Sequence, residues 1–206
     1  FICIAIGGGI GSSVIVSRYF GAERFEKMKT AVYTSLAVFL FISLLLGGFG
    51  LMFSQEILSL LNTPADVFDM AVEYLNIYFL GLPLLFMYNI LSSMFNALGK
   101  SRIPLYFLIF SSVFNVILDW ILVTQFDMGV SGVAWATLIA QGISAVLSFI
   151  ALMAQFKKLA PVRAKPFDFG ELVPMAKISL PSILQQSTVS IGMMLVQSVV
   201  NSFGSE

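Results

Sequence analysis

TAVYTSLAVFLFISLLLGGFGLMF, residues 30–53, is a run of 24 residues without a charged side chain. An α-helix needs about 20 largely apolar residues to cross the hydrocarbon core of a bilayer. Lipid offers no hydrogen-bond partners to the backbone, and a helix satisfies its backbone groups within the segment itself. The stretch therefore predicts a membrane-spanning helix.

The composition of the whole chain is that of an integral membrane protein. Of its 206 residues, 58% are hydrophobic and 11% are charged, and the mean hydropathy is +0.95, whereas soluble domains carry about 25% charged residues. The formal net charge is zero, so no basic surface for nucleic acid is indicated. The chain has no histidine and one cysteine, and no nucleophile–base pair is visible, so we do not expect an enzyme.

Six segments have the length and apolarity of membrane spans or come close to it. They are residues 1–16, 30–53, 70–98, 103–124, 130–155 and 178–203. Residues 54–64, SQEILSLLNTP, predict a short interfacial helix between the second and third segments. We therefore expect an all-α, polytopic transmembrane helix bundle. Because the first residue already lies in apolar sequence, we expect a piece of a longer chain.

Basic residues occur only in every second connection between these segments. All eleven follow the first, third or fifth segment: Arg18, Arg24, Lys27, Lys29, Lys100, Arg102, Lys157, Lys158, Arg163, Lys165 and Lys177. The alternate connections contain acidic residues and no basic ones. Cytoplasmic loops are enriched in Lys and Arg, so we predict that the basic connections face the cytoplasm and that the protein is a multi-pass protein of the cell membrane.

The connection at residues 156–177 differs from the others, because it contains three prolines and charges of both signs. We interpret it as a cytoplasmic linker between two helical lobes, with an amphipathic piece near residues 169–175. The N-lobe helices then occupy residues 1–155, and residues 178–206 form the first helix of the C-lobe. The glycine run GGGIG, residues 7–11, lacks the features of a phosphate loop and indicates close helix packing.

One aspartate, Asp119, lies deep in a span. A charge there costs at least about 2.5–3.5 kcal/mol on insertion scales, and such residues normally face the bundle interior or a wet cavity. Asn115 lies one helical turn away. Counting ~1.5 Å per residue from the outer ends of the two spans, Thr137 is expected level with Asp119 and Gln141 level with Asn115.

These side chains allow two interpretations. A carboxylate, an amide and a hydroxyl are hard oxygen ligands that suit Na⁺ or, with the carboxyl protonated, a bound H⁺. Alternatively, the groups hydrogen-bond across the helix interface, which is common in membrane proteins. The neutral residues alone favour the second interpretation. Asp119 favours the first, because a neutral residue could join the helices at lower cost.

Residues 115–141, NVILDWILVTQFDMGVSGVAWATLIAQ, resemble the fifth-to-sixth helix region of the multidrug and toxic compound extrusion (MATE) family. The shared pattern is Asn-x-x-x-Asp, then Met-Gly-Val-x-Gly, then Ala-x-Ala-Thr and a Gln. SRYFGAER (17–24), NALGKSRIP (96–104) and KISLPSILQQ (177–186) resemble the family's corresponding loops and seventh-helix entry. The resemblance implies helices two to seven of a twelve-helix transporter with two six-helix lobes.

The resemblance also implies site residues. Asn115, Asp119 and Thr137 correspond to the family's N-lobe cation site, which would bind the metal ion Na⁺ if the transporter is sodium-coupled. Asn89, Gln141 and Gln186 are possible additional lining residues. One branch of the family carries a glutamate in the seventh helix, where this chain has glutamines and hydroxyls and no carboxylate.

The implied function is a secondary antiporter that exports amphiphilic or cationic drugs and toxic organic compounds in exchange for Na⁺ or H⁺. No cofactor is expected beyond this coupling ion. The expected partners are small organic molecules, the lipid bilayer and the rest of the transporter chain. An alternative of the same superfamily is a lipid-linked saccharide flippase. A channel or a non-transporting scaffold is a further alternative, and a scaffold would tolerate Asp119→Asn.

Overall fold

A computed structural model describes residues 1–60, 63–159 and 162–202 of the chain. Every regular element in these ranges is a helix. The helices are α1 (Ile2–Gly21), α2 (Phe25–Met52), α3 (Ser54–Leu60), α4 (Phe68–Ala97), α5 (Arg102–Thr124), α6 (Gly129–Leu159) and α7 (Phe169–Ser202). The expected all-α helix bundle is confirmed, and the short helix predicted after the second span is α3.

Five helices in the described residues are long and apolar enough to cross a membrane, namely α1, α2, α4, α5 and α6. They contain the first five predicted spans, apart from the end residues Phe1, Phe53 and Leu98. The sixth predicted span lies within α7, apart from Phe203, which is outside the described residues. Helix α7 has the length of a span but is not among the five. Its interior carries the polar residues Gln185, Gln186 and Gln197, which lower its mean hydropathy.

The boundary between α6 and α7 differs from the prediction. Helix α6 continues to Leu159, and α7 begins at Phe169, so residues 169–175, where we expected an amphipathic piece, form the first two turns of α7. Asp168 explains the early start, because its Oδ1 accepts a hydrogen bond from Gly170 N at 2.8 Å, as in an N-cap. Met175 is buried in the core, and this packing continues the helix past Pro174.

A short turn reverses the chain between α4 and α5. After α4, Gly99 has φ +70°, Gly99 N donates to Asn96 O at 3.0 Å, and Lys100 N donates to Phe95 O at 2.8 Å. This pair of bonds is a Schellman motif, which glycine allows because it adopts positive φ without steric cost. The motif ends α4 sharply and lets α5 begin at Arg102.

The core of the bundle lies where α1, α2 and α4 meet. Large side chains that are fully buried there include Phe79, Phe86, Phe95 and Met28. Helix α6 packs on the other side of α4, α5 packs mainly on α6, and α7 packs mainly on α1. The helices that carry the predicted site, α5 and α6, therefore lie at one side of the bundle.

The glycine run at residues 7–11 packs closely against neighbouring helices, as predicted. A Cβ added at Gly7 would lie 2.6 Å from the backbone of Ile183 in α7. At Gly8 it would meet the ring of Phe39 in α2, and at Gly9 it would lie 2.5 Å from Ser93 Oγ in α4. Successive helical residues point about 100° apart, so three adjacent glycines admit three different helices.

Candidate functional site

Helices α5 and α6 form an antiparallel pair joined by a tight loop. Met128 N donates to Leu122 O at 3.1 Å, and both Asp127 and Gly129 have positive φ. A Cβ added at Gly132 would lie 3.3 Å from Leu122 Cβ, so the two helices approach closely just beyond the loop. This close approach brings polar side chains of the two helices into contact two turns deeper.

Asn115 joins the two helices. Its Nδ2 donates to Thr137 Oγ1 at 3.3 Å. With the amide rotated by 180°, Nδ2 instead donates to Asp119 Oδ2 at 3.3 Å and Oδ1 accepts from Thr137 N at 3.2 Å. Only the rotated amide gives an N–H to the carboxylate, so we favour it. The three residues implied by the resemblance therefore form one cluster, with Asn115 in the middle.

The cross-helix register differs by about one turn from the expected one, because Asn115 rather than Asp119 is level with Thr137. The expectation counted the depth of Thr137 from Ser131, near the start of the fifth predicted span, whereas α6 begins at Gly129. Counted from Gly129, Thr137 lies ~12 Å into α6, and Asn115 lies ~13.5 Å before the end of α5 at Thr124. The two additional residues of α6 account for the shift.

The carboxylate of Asp119 keeps one oxygen available. Its Oδ1 is buried and has no hydrogen-bond partner among the described residues. Thr137 Oγ1 donates to Val133 O at 3.0 Å, so its lone pairs can still accept a bond or contact a cation. One carboxylate, one amide and one hydroxyl can together bind a proton or a small hard cation. Within the described residues no group of three or more acidic, Cys or His side chains could hold a metal ion.

The three additional candidates lie in different places. Gln141 lines a cavity of about 50 Å³ between α4 and α6 together with Thr137, Tyr74 and Tyr78. Asn89 is half-buried on α4, and its Nδ2 donates to Leu85 O of its own helix at 2.8 Å. Gln186 is half-buried on α7, which packs mainly on α1. Gln141 thus lines the same cavity as Thr137 of the cluster.

Sequence reasoning missed the aromatic side of this cavity. Tyr74 and Tyr78 are four residues apart in α4, so they share a helix face, but nothing in the sequence says that this face meets α6. Two hydrogen bonds between α2 and the connection before α7 were also not predictable from the sequence. There Thr30 Oγ1 accepts from Lys165 N at 3.1 Å, and Thr34 Oγ1 accepts from Asp168 N at 3.0 Å.

Comparison with known proteins identifies the family. The sequence model described as MatE matches residues 1–121. The chain belongs to the MatE family. The matched range contains Asn115 and Asp119 and ends before Thr137, so it covers the α5 side of the cluster.

Two bacterial relatives are named as multidrug resistance or export proteins. The probable multidrug resistance protein YpnP of Bacillus subtilis (strain 168) is 32% identical over 191 residues, which cover 92% of this chain and 42% of the relative. The multidrug export protein MepA of Staphylococcus aureus (strain MRSA252) is 30% identical over 183 residues, which cover 85% of this chain and 39% of the relative. The chain thus spans less than half the length of these relatives.

Solved MATE structures share the fold. A crystal structure of MATE in complex with MaL6 matches with a TM-score of 0.90 at 23% identity, covering 100% of this chain and 46% of that chain. An outward-facing multidrug resistance MATE family transporter of the MOP superfamily matches with a TM-score of 0.84 at 22% identity, covering 98% of this chain and 46% of that chain. At this identity the likeness establishes the arrangement of the helices.

Proposed function

We propose that this chain is part of a secondary antiporter that exports amphiphilic or cationic organic compounds in exchange for Na⁺ or H⁺. The observation that carries the proposal is the cluster of Asn115, Asp119 and Thr137, with an unpartnered oxygen on a carboxylate inside an apolar span. Asp119 supplies the charge for the ion, and the amide and hydroxyl supply neutral oxygens. In this proposal no residue acts as an enzyme catalyst and no cofactor other than the coupling ion takes part.

The energetics of Asp119 support a role beyond joining two helices. A carboxylate deep in a span costs at least about 2.5–3.5 kcal/mol on insertion scales, whereas interhelical hydrogen bonds in membranes average about 0.6 kcal/mol. An asparagine in place of Asp119 could make the hydrogen bond to Asn115 without carrying a charge. Binding of a cation or proton at Oδ1 would satisfy the remaining oxygen and offset the cost of the charge.

Coupling requires that the ion binds the two transport states unequally, because a ligand shifts a conformational equilibrium only by its difference in affinity. Rocking of two lobes around a site near the middle of the membrane then gives alternating access. The predicted lobe boundary at residues 156–177 and the cytoplasmic position of the basic loops in the cell membrane belong to this proposal. The rest of the transporter chain would supply the other lobe and further ligands.

The choice of substrate rests on the relatives. YpnP and MepA are named as multidrug resistance and export proteins, which favours drug export over a lipid-linked saccharide flippase. Each of these relatives is more than twice the length that the chain covers.

The test is efflux from proteoliposomes that contain the full-length transporter, driven separately by a Na⁺ gradient and by a pH gradient. We expect Asp119→Asn to abolish gradient-driven efflux, because it keeps the volume and loses the charge. Thr137→Val should weaken coupling less, because a water can replace one neutral ligand. Asp127→Asn is a matched control, because Asp127 is exposed in the loop and asparagine tolerates its positive φ of 52°. Uphill efflux by Asp119→Asn at the wild-type rate would exclude the proposed coupling site.

A further inference from the structure

The cavity between α4 and α6 borders the candidate cation site. Thr137 belongs to both, and Gln141, Tyr74 and Tyr78 form part of the cavity wall. A cavity holds a water molecule when it offers about 10–15 Å³ of probe-occupied volume and two to four polar partners. The volume of about 50 Å³ therefore accommodates a few waters, and the hydroxyls and the amide of the wall can bind them.

A second observation lies one turn deeper on the same face of α6. Ser144 is 1% exposed, and its Oγ has no hydrogen-bond partner among the described residues. Buried hydroxyls without a protein partner are usually satisfied by an ordered water, because an unsatisfied one is costly. Ser148, which is also 1% exposed, continues the row. Thr137, Gln141, Ser144 and Ser148 are spaced by four, three and four residues, so they follow one stripe of the helix.

We propose that the α4–α6 cavity is a water site that supplies water ligands to the coupling ion at Asp119, or relays its proton. This inference rests on the proposed function. The cluster of Asn115, Asp119 and Thr137 offers fewer oxygens than the roughly six to eight that a hard cation such as Ca²⁺ collects. Water in the cavity reaches the ion past Thr137, the one residue that the cavity and the cluster share.

Hydration of the cavity is tested directly by hydroxyl-radical footprinting of the full-length transporter in liposomes. Radicals generated by X-rays from bound water oxidise the side chains next to that water. Tyr78 lines the cavity, whereas Tyr88 is an internal control on the same helix, because it is also half-buried and its hydroxyl donates to Pro104 O at 3.3 Å. We expect Tyr78 to be oxidised severalfold faster than Tyr88. Equal rates would overturn the proposal without bearing on the role of Asp119.

Filling the cavity tests its link to coupling. A Cβ at Gly81, in the cavity wall, would lie 3.5 Å from Leu138 Cγ, which is an ordinary contact, so Gly81→Ala fits and reduces the volume. Gly48→Ala is the matched control, because the added methyl meets nothing within 4 Å. We expect Gly81→Ala to slow Tyr78 oxidation and to raise severalfold the ion concentration for half-maximal efflux, with Gly48→Ala unchanged in both.

Gln141→Leu provides an independent variant, because it removes a polar partner of the water at similar volume. It should raise the same ion concentration severalfold and leave equilibrium drug binding unchanged. Wild-type ion dependence in both Gly81→Ala and Gln141→Leu would overturn the link between the cavity and coupling. If Asp119→Asn still transports uphill while Tyr78 is oxidised rapidly, the proposed coupling site fails and the water site stands.

Discussion

The contact between α1 and α7 predicts a specific loss of stability in Gly7→Ala. A Cβ at Gly7 would lie 2.6 Å from Cα and N of Ile183, and ordinary contact begins at about 3.4 Å. Both atoms belong to the backbone of α7, so no side-chain rotation relieves the clash and the helices must separate by about 0.8 Å. Overpacking of a well-packed interface costs typically about 1–3 kcal/mol.

Helix propensity acts in the opposite direction, because alanine is better than glycine inside a helix by up to about 1 kcal/mol. Gly48→Ala in α2 has this gain alone, since its methyl meets nothing within 4 Å. The difference between the two variants therefore isolates the overpacking. Thermal unfolding of the purified transporter in detergent should give a lower Tm for Gly7→Ala than for Gly48→Ala, by up to about 2 °C per kcal/mol, because the transporter is larger than the domains of about 150–250 residues that shift by about 2–4 °C per kcal/mol. A Tm for Gly7→Ala at or above that of the control would refute the close crossing at Gly7.

Three other features of the fold give testable expectations. Thr34→Val should destabilise the protein by about 1–3 kcal/mol, because it leaves Asp168 N without its acceptor. The control in the same unfolding assay is Thr188→Val, an exposed site whose hydroxyl bonds to its own helix. Phe79→Ala should cost about 3–5 kcal/mol, because Phe79 is 2% exposed and its ring packs against Gly50. An unchanged Tm would contradict this packing. In a Cys3→Ser background, Gln125→Cys and Lys158→Cys should react with an impermeant thiol reagent from opposite sides of the membrane, and labelling of both from one side would overturn the span count.

The five membrane spans were predictable because each is a largely apolar run bounded by loops of consistent charge. The run at residues 30–53 is an example, since a helix makes all its backbone hydrogen bonds within the segment and needs no partner from lipid. The start of α7 was harder to predict from the sequence. The three prolines and mixed charge of the linker favoured a boundary that extends to residue 177, whereas the cap at Asp168 and the burial of Met175 extend the helix through Pro174. Tertiary packing there outweighs the local sequence preference.

One part of the candidate site follows from spacing along a single helix, and the other part depends on how two helices are joined. Asn115 and Asp119 are four residues apart on one helix, so helical geometry alone places them together. The position of Thr137 depends on the loop, in which Asp127 and Gly129 adopt positive φ and α6 begins two residues earlier than counted. An error of two residues along a helix is about 3 Å, which is enough to exchange Asp119 for Asn115 as the residue level with Thr137.

The partner of the glycine run could not be predicted, because Ile183 is far from Gly7 in sequence and no spacing rule connects them. The structure shows that this contact crosses the predicted lobe boundary at residues 156–177. Ser179 Oγ donates to Gly8 O at 3.3 Å in the same region, and α7 is fixed near its start by the bond from Asp168 N to Thr34. A rocking motion of one lobe against the other must therefore either separate α7 from α1, at the cost of this packing, or carry the first half of α7 along with α1 and α2. Crosslinking of Cys3 to a cysteine placed at Ser190, whose Oγ lies 3.2 Å from Cys3 Sγ, in both transport states distinguishes the two, because a crosslink that permits full turnover requires that α7 moves with α1.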